Sequence, residues 1–114
     1  MPNVTGYVSL KNECGTVIKD ASVSVSVSGD ANPLIAHPSL AVGMTTMNKK
    51  YSFPIGSSTD WCVSFTLKGA QIKGTVNCQL TPADNNKMLK ITLSADSFTI
   101  APTVSERATA MYGS

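Results

Sequence analysis

The chain reads as a mainly β protein. The expected architecture is an antiparallel sheet of about six to seven strands with an N-terminal hairpin and one short C-terminal helix. Three observations predict it. Ala21–Ser28 alternates Ala21, Val23, Val25 and Val27 with Ser22, Ser24, Ser26 and Ser28, the period of a half-buried strand. Valine is stiff at χ1 and fits the pleat, and a lone strand needs partners to cover its apolar side. The same alternation recurs along most of the chain. Only after Thr103 does the spacing turn helical.

The elements follow in order. Val4–Leu10 places Val4, Gly6, Val8 and Leu10 on one face and Thr5, Tyr7 and Ser9 on the other. Lys11–Gly15 is a turn, with Asn12 and Gly15 as the permissive residues. Thr16–Ser28 returns as the second arm of a hairpin, broken near Asp20. Gly29–Pro38 reads as a loop, because Pro33 and Pro38 oppose regular pairing. Its Leu34 and Ile35 must enter the core or meet a partner. Ser39–Met44 is a short strand with Leu40, Val42 and Met44 on one side, and Thr45–Lys50 is a polar turn. Tyr51–Ile55 alternates again, but Pro54 cannot donate a ladder bond, which predicts an edge or a strand end.

Trp61–Leu80 is the clearest hairpin. Trp61, Val63, Phe65 and Leu67 share a face in the first arm. Ile72, Gly74, Val76, Cys78 and Leu80 share it in the second. A two-residue loop at Gly69-Ala70 pairs Leu67 with Ile72, Val63 with Val76 and Trp61 with Cys78, with all apolar side chains on one side. Cys62 then points outward and Cys78 inward, which disfavours a disulfide between them. Thr81–Lys87 is a loop. Met88–Ser94 is a clean strand with Leu89, Ile91 and Leu93 inward, and Ser97–Ala101 extends or follows it. Thr103 and Glu106 have capping-box spacing, Val104, Ala108 and Met111 lie at helical spacing, and Gly113 can terminate a short helix that is stable only when docked.

Composition narrows the classes. With 114 residues and 42% hydrophobic content, residues 1–114 form one globular domain rather than a disordered chain. Charged residues are 14%, well below the usual share of about 25%, and 14 Ser and 12 Thr stand in their place. A hydroxyl surface costs little to desolvate and repels itself weakly. It suits a chain that packs on its own copies, and it equally suits an ordinary Ser/Thr-rich β protein. A net charge of +2 gives one copy little electrostatic steering, although many copies in a shell sum to a substantial field. No run of about 18 apolar residues is present to span a membrane. The start, MPNVTGYVSL, shows no signal peptide, so a protein made and used in the cytosol, or a mature form, is expected.

No catalytic constellation stands out. There is one histidine, His37, beside a proline and with no acid near it in sequence, and the seven acids fall mostly in turns. No paired carboxylates, nucleophile elbow or phosphate loop occurs, so the chain is expected not to be an enzyme and to need no cofactor. Cys14, Cys62 and Cys78 are odd in number and lack C-x-x-C spacing, so free thiols are expected and a metal site is not. A lysine-to-asparagine isopeptide crosslink has no specific signal. The more informative group is polar. Thr66, Lys68, Lys73, Thr75 and Asn77 on the hairpin, with Lys90 and Thr92 on the following strand, fall on one side of a continuous sheet. Lysines neutralise phosphates, and hydroxyls and amides bond to phosphate, sugar or base edges. For an isolated domain an ordinary solvated sheet face explains the same residues.

Two families share residues with this chain. Phe98-Thr99, Thr103 and Glu106-Arg107 resemble the strand-to-helix junction of the coat proteins of single-stranded RNA bacteriophages, and the preceding order of hairpin and strands (CVSFTL, KGTVNCQLTP, MLKITLS) is similar. That resemblance implies a structural virion protein, made in the host cytoplasm. It would dimerise through helices, assemble into a shell and bind RNA through Thr66, Lys68, Lys73, Thr75, Asn77 and Lys90. The second resemblance covers most of the chain. Gly6-Tyr7-Val8, Gly15, Ile18, Ala21–Val25, Lys50–Phe53 and Ile91–Leu93 look like the degenerate pattern of the transthyretin-like, or carboxypeptidase-regulatory-like, β-sandwich. It implies a non-catalytic module that binds protein or carbohydrate.

Overall fold

The structure is a computed structural model that describes residues 3–27, 30–46, 48–54, 59–78, 84–103 and 107–112. The period-two stretches form nine strands among these residues. They are β1 (Asn3–Glu13), β2 (Ile18–Val27), β3 (Asp30–Leu40), β4 (Lys49–Pro54), β5 (Thr59–Leu67), β6 (Ala70–Asn77), β7 (Lys87–Ser94), β8 (Ser97–Pro102) and β9 (Ala108–Met111). They make two sheets, of order β4-β1-β7-β8-β9 and β3-β2-β5-β6. All ladders between these strands are antiparallel except β1 with β7, which is parallel. The fold is therefore mainly β, as the alternation predicts, but it is a two-sheet sandwich with more strands than the six to seven expected.

The inward residues of both sheets meet in one core. Val4, Val8 and Leu10 of β1, Leu89, Ile91 and Leu93 of β7, and Phe98 and Ile100 of β8 face Val23 and Val25 of β2 and Trp61, Val63 and Phe65 of β5. All of these are buried. At about 25 cal/mol per Å² of apolar surface removed from water, this face-to-face burial is the main favourable contribution to the fold.

Four expectations are corrected. First, the N-terminal hairpin does not form, because β1 and β2 sit in different sheets. Their greasy faces oppose each other across the core instead of lying side by side. Asn12 holds this crossover. Its buried amide donates to the Thr16 and Leu40 carbonyls, both at 2.9 Å, and its Oδ1 accepts from the Cys14 N–H. The predicted break near Asp20 is present, with φ of 51° there and a register shift between Lys19 and Ser22.

Second, residues 30–40 form a strand. Pro33 and Pro38 are tolerated because β3 is an edge whose ladder with β2 is irregular between Val23 and Ser24. Ile35 is buried in the core and Leu34 packs against it. Residues 41–44 form a turn rather than a strand, leaving Val42 and Met44 exposed. The edge position predicted from Pro54 is what β4 adopts.

Third, the β5–β6 hairpin keeps the predicted faces in another register. Lys68 and Gly69, with φ of 50° and 83°, form the turn. Leu67 pairs with Ala70, Phe65 with Ile72, Val63 with Gly74 and Trp61 with Val76. Positive φ at both central positions is the type I′ geometry that suits the strand twist, and Ala70 would resist it where Gly69 does not. The displacement is two residues, so parity survives and Cys62 and Cys78 remain unbridged.

Fourth, no α-helix occurs among the described residues, and the expected C-terminal helix is replaced by β9. Ala108, Ala110 and Tyr112 pack against the core while Thr109 and Met111 face out, a period of two. So short a segment carries both periodicities, and pairing with β8 decides between them. The Thr103 hydroxyl donates to the Met88 carbonyl at 2.5 Å instead of capping a helix. Glu106, the other half of the capping box, lies outside the described residues.

Candidate functional site

Of the single Trp, three Tyr and three Phe, all but Tyr7 belong to one of two triads, one at each lateral side of the sandwich. On the β4 side, Tyr51 and Phe53 stack at 5.2 Å, and Trp61 meets them edge-on at 6.0 and 5.9 Å. On the β9 side, Phe98 and Tyr112 stack at 5.5 Å, and Phe65 meets Tyr112 edge-on at 5.2 Å. Each triad lays a ring on a strand glycine. Tyr51 covers its cross-strand partner Gly6, and Phe98 covers Gly74, so a Cβ at either glycine would collide with the ring.

The β9 side also carries a groove of about 900 Å³. One wall is residues 71–75 of β6. The other is Ala95 and Asp96 of the β7–β8 turn with Met111 and Tyr112. Tyr112 forms the inner limit, its hydroxyl donating to the Ser94 carbonyl at 2.8 Å. Ile72 and Met111 supply apolar surface, and Lys73 and Asp96 supply opposite charges. The sequence does not announce this site, because its helical spacing places Met111 and Tyr112 within the expected C-terminal helix. The alternation of Ala108, Ala110 and Tyr112 is the signal that locates it.

The six residues singled out for RNA do not share one face. Thr66, Lys73, Thr75 and Asn77 point outward from β5 and β6, and Lys68 sits in their turn. Lys90 belongs to β7 in the other sheet, beside Ser9 and Ala101, on the opposite outer surface of the sandwich. The parallel pairing of β7 with β1 puts it there, so the continuous sheet expected from sequence is not formed. Asn77 Nδ2 donates to Asp60 Oδ1 at 2.9 Å, which brings a carboxylate into the lysine face. On the other surface Tyr7 is exposed, Lys50 is its cross-strand partner, and Lys11 pairs with Glu13 at 3.0 Å.

The remaining titratable groups are structural. Burial pushes the Tyr51 phenol up to about 12 and the Cys78 thiol up to about 11, and the charge of buried Asp84 adds to both. Burial also raises Cys14, and the neighbouring Tyr112 side chain partly offsets this. These two thiols are therefore protonated at neutral pH and are poor nucleophiles. The Cys78 carbonyl accepts from the Thr59 hydroxyl at 2.5 Å and the Trp61 indole at 3.2 Å. None of the lysines is buried, whereas Asp84 is. His37 is half-buried on β3, and its Nδ1 has no hydrogen-bond partner among the described residues. No group of three or more His, Cys, Asp or Glu side chains that could hold a metal occurs among the described residues, and no helix there is long and apolar enough to cross a membrane. No protein-family model matches the chain, and no curated protein is significantly similar to it.

Proposed function

We propose that this chain is a non-catalytic β-sandwich module that binds another protein in the groove between β6 and β9. The groove carries the reading. It is about 900 Å³, it mixes apolar and charged walls, and it is bounded by the edges of both sheets. Concave sites of this composition are where binding energy and specificity are concentrated. Protein is favoured over carbohydrate because the aromatic at the groove, Tyr112, is half-buried, with Phe98 stacked on one face of its ring and Phe65 against it edge-on. The exposed ring, Tyr7, lies on the outer face of the five-stranded sheet, away from the groove.

An RNA-packaging coat is the alternative from sequence. Its expected dimer-locking helix and its single lysine face are the features that the strand at 108–111 and the placement of Lys90 replace. Size-exclusion chromatography of the purified chain, with absorbance at 260 and 280 nm, separates the two. The module reading predicts elution near 12.0 kDa without nucleic acid. A megadalton particle with a high 260/280 ratio would overturn it in favour of the coat.

A further inference from the structure

Building on the binding-module reading, on which this step depends, we infer that β6 is a strand-addition site. An extended segment of a partner protein, apolar at alternate positions and acidic at an outward one, hydrogen-bonds along its free edge and places its inward side chains in the groove.

The ladder geometry selects the groups. In a two-residue hairpin the residues flanking the turn exchange hydrogen bonds, and bonded and non-bonded pairs then alternate. Leu67 with Ala70, Phe65 with Ile72, Val63 with Gly74 and Trp61 with Val76 are the bonded pairs, in phase with the Cys78 N–H donated to the Thr59 carbonyl at 3.1 Å. The N–H and C=O groups of Gln71, Lys73 and Thr75 therefore point away from β5, and no described residue receives them.

Comparison of the edges singles out β6. β3 carries Pro33 and Pro38, β4 ends in Pro54, and β9 has four residues. β6 has eight residues and no proline, and the groove runs beside it. An unpaired edge of this kind is a template for a further strand. Side-chain parity sets what is recognised. Residues of the added strand that point inward lie beside Ile72 and toward Tyr112, and Met111, 70% exposed in the free chain, lines the same groove. Residues that point outward lie beside Lys73, which makes no ion pair among the described residues, so an acidic side chain there is complementary.

The test is a titration of the isotope-labelled full chain with a labelled eight-residue peptide in which valine alternates with aspartate and threonine. It is followed by amide NMR and by fluorescence anisotropy. Strand addition predicts shifts and new exchange protection at the amides of Gln71, Lys73 and Thr75. Thr75→Pro should weaken binding by about tenfold or more while the fold persists, because that N–H does not bond to β5. Val76→Pro should instead unfold the hairpin. Lys73→Glu should weaken binding by about threefold, as for an exposed ion pair. No binding at millimolar peptide, or binding unaffected by Thr75→Pro, would overturn strand addition and leave the module reading standing. Protection of the three amides without peptide, rising with protein concentration, would overturn it by showing that a second copy covers the edge. A nucleic-acid-filled particle would remove the module reading itself.

Discussion

The two lateral sides of the sandwich are built from the same parts and end differently. Each has a stacked aromatic pair, a third ring meeting the stack edge-on, and a ring laid on a glycine. On the β4 side all three rings are buried, Trp61 completely. On the β9 side Tyr112 remains half-buried, and beyond it lies the groove. The difference traces to the strands at the margin. β4 is six residues long and brings two rings inward at Tyr51 and Phe53. β9 is four residues long and brings in Ala108 and Ala110, with a ring only at Tyr112. The small side chains of a short strand bring less bulk to this margin, and the groove beside it is where a partner strand has room.

The largest expected effect follows directly. Trp61→Ala should cost about 4 kcal/mol in urea denaturation, by loss of burial and formation of a cavity. Tyr112→Ala should cost about 2 kcal/mol, because that ring is only half removed from water. Equal losses would mean the two sides are equally sealed. The glycines sharpen the contrast. A Cβ at Gly6 meets the Lys87 backbone carbonyl as well as the Tyr51 ring, whereas at Gly74 its nearest contacts are all with the Phe98 ring. Gly6→Ala should therefore cost about 3 kcal/mol and Gly74→Ala about 1 kcal/mol, with the second detectable as a near-ultraviolet dichroism change as Phe98 turns. The reverse order would show that the β9 side is the more tightly packed.

How much of this was legible in the sequence differs between the sides as well. Tyr51, Phe53 and Trp61 sit in clean alternation, and their inward direction reads straight off the pattern. Phe65 and Phe98 do too. Tyr112 does not, because Thr103–Gly113 carries a capping box and helical spacing that overlay its alternation. Only tertiary pairing with β8 resolves that conflict. Sheet membership was also beyond the pattern. Alternation says which side of a strand is greasy, not which sheet the strand joins, so β1 and β2 read as neighbours and Lys90 as a companion of Lys73. The parallel pairing of β1 with β7 is a long-range choice that no local residue announces. The hairpin register was within reach, since Gly69 at the second central position is the known preference of a type I′ turn.

A further effect is at alkaline pH and belongs to the sealed side. Tyr51 rises from 10.0 to about 12 and Cys78 from 9.0 to about 11 on folding, so the folded chain holds both protons more tightly than the unfolded chain. Stability is then full below pH 9 and falls between pH 9 and 12. Thermal melts across that range should show the decline, and Tyr51→Phe should flatten part of it. A melting temperature independent of pH there would contradict the burial of these groups.

The open edge of β6 is most directly tested by amide hydrogen exchange of the free protein, read residue by residue. Alternation is the predicted result, with Ile72, Gly74 and Val76 protected by β5 and Gln71, Lys73 and Thr75 exchanging freely. Uniform protection along β6 would contradict it, because the edge on which the proposed function depends would then already be occupied.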